Sequence, residues 1–256
     1  MRREIERLLA PASADELWNS FVDIMREIGF PHVFYSARRF ADMARIWLSE
    51  ELEWRSTYPT AFLDDVHGIV PRLTESPWGL WSRENAGDLP CDWIDSPDAA
   101  PYLTPENQRL VELMRQHGVL AGRLISLLGL SVRVTGTIVL ATGDGTDQTD
   151  ADALWNEVGR DVVALSGVFH LRACALPQSI GRSRLTPRQR EVVEWAAYGK
   201  TVAEIAEILG VGPTTIEKHL RLAREALGAQ NTAQAILKAH QRNQIFIRRV
   251  DTGMSG

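Results

Sequence analysis

Cysteine is nearly absent from this 256-residue chain: only Cys91 and Cys174 occur, far apart and without a Cys or His at metal-ligand spacing. That excludes a disulfide framework and a zinc site and leaves two free thiols. No apolar run approaches the roughly 20 residues that a membrane-spanning helix needs. The opening segment MRREIERLLAPASADE turns acidic before a signal-type apolar stretch develops, so a cytoplasmic location with no membrane partner is expected. A Gly-rich phosphate loop, a nucleophile elbow and a metal cluster are all missing, and His32, His67, His117 and His170 are scattered. Catalysis is therefore the least supported class of function, and no cofactor is expected. Positive charge is also short, with a formal net charge of −5.

What is present is ordinary globular material, 45% apolar and 24% charged, in a length that suits one sizeable domain plus a small one. The acidity is unevenly shared. From Arg182 onward, 12 Lys plus Arg stand against 7 Asp plus Glu, a formal +5, while the preceding residues carry −10. A small basic unit follows a larger acidic one, which directs any polyanion to the C-terminal part.

In the larger part, Ser13 with Glu16 forms a capping-box signal, and Leu17, Trp18, Phe21, Ile24, Met25 and Ile28 make a helical stripe that Gly29 stops. FPHVFYSAR reads as a strand. Residues 40 to 82 mix tryptophans, acids and prolines without a clean period; helix and loop are expected, then a short strand near Trp78 to Ser82. Thr104 caps another helix that runs to Gly118, with Pro105 in its first turn. GRLISLL and VRVTGTIVLAT fit strands around a turn at Gly129 to Ser131, and from Asp150 a long helix carries Leu154, Trp155, Val158, Val162, Leu165, Val168 and Phe169. Strands between long helices predict an α+β chain, opening with an α/β/α sandwich around a mainly antiparallel sheet. The expected division is a sensor domain at 1–176, a polar Gly-containing linker at 177–185 and an all-α four-helix domain at 186–256.

The last domain is explicitly punctuated. Thr186, Pro187 and Gln189 open a first helix that Gly199 ends; Thr201 with Glu204 opens a second, whose Val202, Ile205, Ala206 and Leu209 follow the i, i+3, i+4, i+7 rule. After Gly210-Val211-Gly212, a third helix has Pro213 in its first turn and buries Ile216, Leu220, Ala223 and Leu227. Its opposite face presents Thr214, Glu217, Lys218, Arg221 and Arg224, a set able to reach phosphates and base edges from a major groove. Glu217 reads as a negative selector or as an i, i+4 partner of Arg221. Gly228 ends this helix, and Asn231 caps a fourth from about Thr232 to Gln241 that could supply a dimer surface.

LTPRQREVVEWAAYGKTVAEIAEILGVGPTTIEKHLRLAREALGAQNTAQAILKAH closely resembles the helix-turn-helix DNA-binding domain of LuxR-type regulators, over more than 50 residues without a gap. The resemblance implies that Lys200 and Thr201 anchor phosphates, that Thr215, Lys218 and His219 lie against double-stranded DNA, and that Arg221 or Arg224 reaches further contacts. It also implies a homodimer, with RNA polymerase as a further partner. One departure is Gly212, where the family often places a polar cap. In the first part, IGFPHVFYSAR, Trp54-x-x-x-Tyr58, Asp64-Asp65 and PWGLW ending at Trp81 look like the acyl-homoserine-lactone-binding domain of the same regulators. By that resemblance Trp54 donates its indole N–H to a lactone carbonyl, Tyr58 donates to the acyl carbonyl, Asp65 accepts from the amide N–H and Trp81 packs on the ring. A second register, pairing Tyr58-Pro59 and Phe62 with a Tyr-Pro and downstream Trp pattern, stays open.

The expectation is thus a regulator of transcription whose effector is a small-molecule autoinducer, an acyl-homoserine lactone in quorum sensing, and whose dimer reads a pseudo-palindromic site. An orphan regulator that senses another molecule, or binds DNA without one, is the alternative. A two-component response regulator shares this DNA-binding domain but needs an Asp at the end of an apolar strand, a context that Asp64 and Asp65 lack.

Overall fold

The computed structural model describes residues 1–39, 52–66, 76–131, 134–143, 145–176 and 185–245. The chain divides into two compact units, Met1–Cys174 and Ala175–Gly256. The expected linker lies outside the described residues apart from Leu185, which joins the core of the second unit.

The first unit opens with α1 (Arg2–Leu9), which the sequence did not announce, and α2 (Ala14–Ile28). The Ser13 side chain accepts from the Glu16 N–H as its spacing predicts, while the Glu16 carboxylate accepts from Ala12 N at 3.0 Å. Five strands follow in the sheet order β2-β1-β5-β4-β3: β1 (His32–Arg39), β2 (Leu52–Ser56), β3 (Gly87–Pro90), β4 (Gly122–Ser126) and β5 (Val134–Ala141). Every neighbouring pair is antiparallel.

Alternation sends successive side chains to opposite faces. Tyr35 meets Phe169 on one face, ring centroids 4.9 Å apart, and Phe169 stacks on Phe21 at 4.2 Å. That face is covered by α2 and by α6 (Gln148–Ala175), whose Trp155, Val162, Leu165 and Phe169 are buried. Gly136 lets α6 come close, since a Cβ there would lie 2.7 Å from the His170 ring. The opposite face, with Phe34, Ser36, Thr137 and Val139, is roofed by α3 (Thr60–Asp65), α4 (Pro77–Glu84) and α5 (Pro105–Gln116). The result is the expected sandwich.

The strand expected near Trp78 to Ser82 is helix instead. Ser76 accepts from Gly79 N at 3.1 Å and Pro77 fills the first turn, so a Ser-Pro opening outweighs the aromatic content. Two edge strands also escaped the sequence reading. β2 falls in the stretch expected to be helix and loop, and β3 is four residues ending in a proline, a residue that sheets accept at an edge.

The second unit has the four expected helices: α7 (Pro187–Ala197), α8 (Val202–Leu209), α9 (Pro213–Leu227) and α10 (Thr232–Gln241). Capping boxes at Thr186/Gln189 and Thr201/Glu204 are both complete. Gly210 and Gly228 take left-handed conformations, φ 64° and 59°, that close α8 and α9. Val192, Val193, Ile205, Ile216, Ala223 and Ala239 form the core, and Gln244 accepts from Leu185 N at 2.9 Å to tie the two ends together. Among the described residues no helix is long and apolar enough to cross a membrane.

At the start of β4, a Cβ on Gly122 would lie 1.9 Å from the Leu140 carbonyl oxygen, a backbone atom that cannot move without breaking the β4–β5 ladder. Gly122→Ala should therefore destabilise the first unit by about 3 kcal/mol or more, read by urea denaturation of the full chain. The α7–α10 unit should keep its own transition, and a loss below about 1 kcal/mol would mean that the strands tolerate a side chain there.

Candidate functional site

The C-terminal candidate surface is built on α8 and α9. The apolar stripe of α9 holds it on the bundle, leaving Thr214, Thr215, Glu217, Lys218 and Arg221 exposed on the other side. Thr214 and Thr215 lie one turn before Lys218, and Arg221 one turn after it, so these side chains share a helix face. Arg221 pairs at 2.6 Å with Glu225 rather than with Glu217. Arg224 is half-buried in the last turn, and His219 is half-buried with Nδ1 buried and unpartnered. Gly212 supplies no side-chain cap; Pro213 has no N–H and the Thr215 N–H donates to the Gly212 carbonyl at 2.9 Å, which leaves the Thr214 N–H in the first turn of α9 for an anion.

Lys200 and Thr201 sit at the opening of α8. Thr201 N–H and hydroxyl both donate to the Glu204 carboxylate, at 2.8 and 2.9 Å, and the Lys200 ammonium lies 3.3 Å from it. The Thr201 backbone bond, then its hydroxyl, then Lys200 hold the Glu204 carboxyl below its ordinary range. Both residues are exposed, so Lys200 is free to exchange a carboxylate for a phosphate while Thr201 keeps the helix start in place.

The second candidate site is a narrow pocket of about 50 Å³, partly open to solvent, between the sheet and helices α3, α4 and α5. Its walls are apolar: Phe34 and Val139 from the strands, Phe62 and Leu63 from α3, Trp78 from α4, Leu110 and Met114 from α5. Ser36, Ser56, Ser76, Thr137 and Tyr58 contribute hydroxyls. Three of these already have work: Ser76 caps α4, Thr137 lies 2.7 Å from Ser82, and Ser56 accepts from Tyr58 N–H at 3.1 Å. The Trp78 indole donates to the Cys91 carbonyl at 3.2 Å. The Tyr58 hydroxyl is buried with no partner among the described residues, and its ring stacks on His32 and leans on Phe62. Burial pushes the Tyr58 phenol well above its ordinary range, and burial likewise pushes the Cys91 thiol up to about 12. Neither ionises at neutral pH, so the pocket presents a neutral donor in an apolar wall.

Of the four residues expected to hold a ligand, the structure brings Tyr58 to the pocket. Trp54 is 39% exposed on edge strand β2 and stacks on Phe34 at 6.3 Å. Trp81 packs half-buried against the core beneath the pocket, 6.3 Å from Trp93. Asp65 is exposed and hydrogen-bonds His117 at 2.6 Å. Trp54, Trp81 and Asp65 are not among the described lining residues. Phe62, which the second register singled out, does line the pocket. The remaining walls were missed; the signal available was the alternation of β1 and β5, which puts Phe34, Ser36, Thr137 and Val139 on one face. Among the described residues, no group of three or more His, Cys, Asp or Glu is placed to hold a metal.

A helix-turn-helix unit with basic side chains on its outer face, joined in one chain to an α/β sandwich with an apolar pocket, gives a chain of two compact units with a candidate nucleic-acid surface and a candidate ligand site. Both units match domains of LuxR-type regulators: residues 183–239 match the family described as bacterial regulatory proteins, luxR family, and residues 75–173 match the autoinducer binding domain. Among similar curated proteins, the transcriptional activator protein BjaR1 of Bradyrhizobium diazoefficiens is 42% identical over 30% of this chain and 32% of its own length. The transcriptional activator protein VanR of Vibrio anguillarum is 31% identical over 59% of this chain and 61% of its own. These alignments thus span about a third to three fifths of the relatives' lengths. Among solved structures, Escherichia coli SdiA has the same fold, with a TM-score of 0.53 at 20% identity, over 96% of this chain and 97% of that one.

The two ends of the helix-turn-helix give opposite stability expectations. Thr201→Ala removes the α8 cap and should cost about 1 kcal/mol. Gly212→Ser adds a cap where the backbone is already extended and a Cβ meets nothing within 4 Å, so it should add a few tenths of a kcal/mol. Thermal denaturation of the full chain, following the C-terminal transition, checks both signs.

Proposed function

We propose that this protein is a ligand-responsive regulator of transcription that binds double-stranded DNA through α9. The observation that carries the proposal is the exposed face of α9, where Lys218 stands between Thr214, Thr215 and Arg221 beside an uncapped helix start. Laid in a major groove, this face meets phosphates through Lys218, with Lys200 and Thr201 on the adjacent backbone and His219, Arg221 and Arg224 at its borders. A homodimer reading a pseudo-palindromic site, with half-sites about one duplex turn apart, follows from this mode of docking. RNA polymerase is the further partner of such a regulator, and the cytoplasm its place of work.

The effector in this reading is an acyl-homoserine lactone acting in quorum sensing. An apolar slot with a few hydroxyls suits an acyl amide, whose carbonyl relieves the unpartnered Tyr58 phenol, a group that costs on the order of 1–3 kcal/mol when left unmet. Trp54 stacks on the lining Phe34, and Trp81 packs against the core cluster that includes Tyr58 and Phe62. Ligand that binds only the folded sensor adds about 2.7 kcal/mol at a hundredfold excess over Kd, enough to control a marginal domain. The second reading, a regulator that answers to another neutral molecule or to none, is favoured by the position of Asp65, whose carboxylate is engaged by His117.

Lys218→Ala should weaken binding to all duplexes alike and lower the slope of log K against log salt by about one. An unchanged slope in a filter-binding or anisotropy titration removes Lys218 from the phosphate contacts. Full-length protein heated with a series of acyl-homoserine lactones should show a rise in Tm that depends on chain length. Tyr58→Phe should diminish that rise without altering the salt slope; a flat response across the series in the native protein favours the second reading.

A further inference from the structure

We infer that Asp65 serves the pocket at second hand, as a positioning residue that clamps α3 to α5 through His117. The inference rests on reading the pocket as the ligand site, and its geometry stands independently of which ligand enters.

Asp65 is the last residue of α3, and its Oδ2 accepts from His117 Nε2 at 2.6 Å; an ionised carboxylate has no proton to donate, so the imidazole N–H supplies it. His117 caps the C-terminal end of α5, and its ring meets the Phe62 ring at 5.6 Å and 70°, edge to face. Phe62 is itself a pocket wall, as are Leu63 beside it and Leu110 and Met114 on α5. One polar bond therefore spans the two helices that form one side of the cavity, and the imidazole touches the aromatic ring that faces the cavity.

The helix being held needs holding. α3 has six residues and no side-chain N-cap, far below the length at which a helix persists by itself. A carboxylate at a helix C-terminus also faces the negative end of the backbone dipole, so locally Asp65 is in an unfavourable place. The donor on α5 offsets that cost, which accounts for an acid at this position without assigning it to the ligand. With the clamp released, α3 spends more time away from α5, and affinity falls by the fraction of molecules whose wall is out of place.

Size separates the clamp from a direct contact. A half-exposed pair of this kind is worth at most about a fivefold change in an equilibrium, whereas losing a charged hydrogen bond to a buried ligand costs more than about tenfold. The test uses the full chain with Asp65→Ala, His117→Gln and the double variant. Hydrogen exchange of amides 60–66 is measured without ligand, and the Kd for N-octanoyl-homoserine lactone is measured by titration. The clamp predicts faster exchange of α3 in each single variant and no further increase in the double, with the amides of α7–α10 unchanged. It also predicts a two- to fivefold weaker Kd in each single variant, with non-additivity in the pair. Unchanged α3 exchange overturns it. So does a loss of more than tenfold in Asp65→Ala with native affinity in His117→Gln, which would put Asp65 on the ligand. If the lactone fails to bind the native chain while α3 exchange responds as described, the clamp is supported and the lactone reading fails.

Discussion

A sheet must cover both of its faces, and in this protein the two coverings are unequal. One face of β1 and β5 lies under a 28-residue helix that approaches closely enough to need Gly136 bare. The other face lies under three helices of 6, 8 and 12 residues, which do not fill the space. Close packing on the first side keeps the strands rigid, and incomplete packing on the second leaves an apolar cavity. The pocket is thus a consequence of how the sheet is roofed, and the ligand that would complete the core is asked to do what side chains do on the opposite face.

The helix-turn-helix unit is organised by a different set of interactions. Each of its helices is short, and each start and stop is secured locally: capping boxes at Thr186 and Thr201, Asn231 at α10, left-handed glycines after α8 and α9. With the ends satisfied inside the unit, a small core led by Val192, Val193, Ile205 and Ile216 is enough to hold α9 with its cationic side outward. The start of α9 is the exception. Gly212 gives the first turn no side-chain partner, and in the proposed reading the Thr214 N–H there would meet a phosphate.

Charge follows the same division of labour. The helix-turn-helix unit is the basic one, and the unit that holds the pocket is acidic. In the acidic unit several carboxylates are engaged as bridges: Asp88 and Asp152 share Arg123, which also lies 4.9 Å over the Trp155 ring, and Asp65 holds His117. These ties link elements around the sheet, while the excess of acids over bases keeps the surface of this unit unattractive to a polyanion.

The second unit was legible almost residue by residue, because capping signals, left-handed glycines and a 3.6-residue apolar period are written within a few positions of the structure they cause. The same local grammar announced α2, α5, α6, β1, β4 and β5. It failed at α4, where aromatic content hid a Ser-Pro helix start, and at β2 and β3, which are too short to show alternation and exist because a neighbour offers an open edge. The pocket could not be read this way. Its walls come from positions as far apart as Phe34 and Val139, and Tyr58 turns inward while Asp65, one turn past Phe62, reaches a histidine 52 positions away. Local chemistry sets where a helix begins and which side is greasy; which side chains share a cavity depends on chain segments meeting in space, and that meeting is a property of the packed whole.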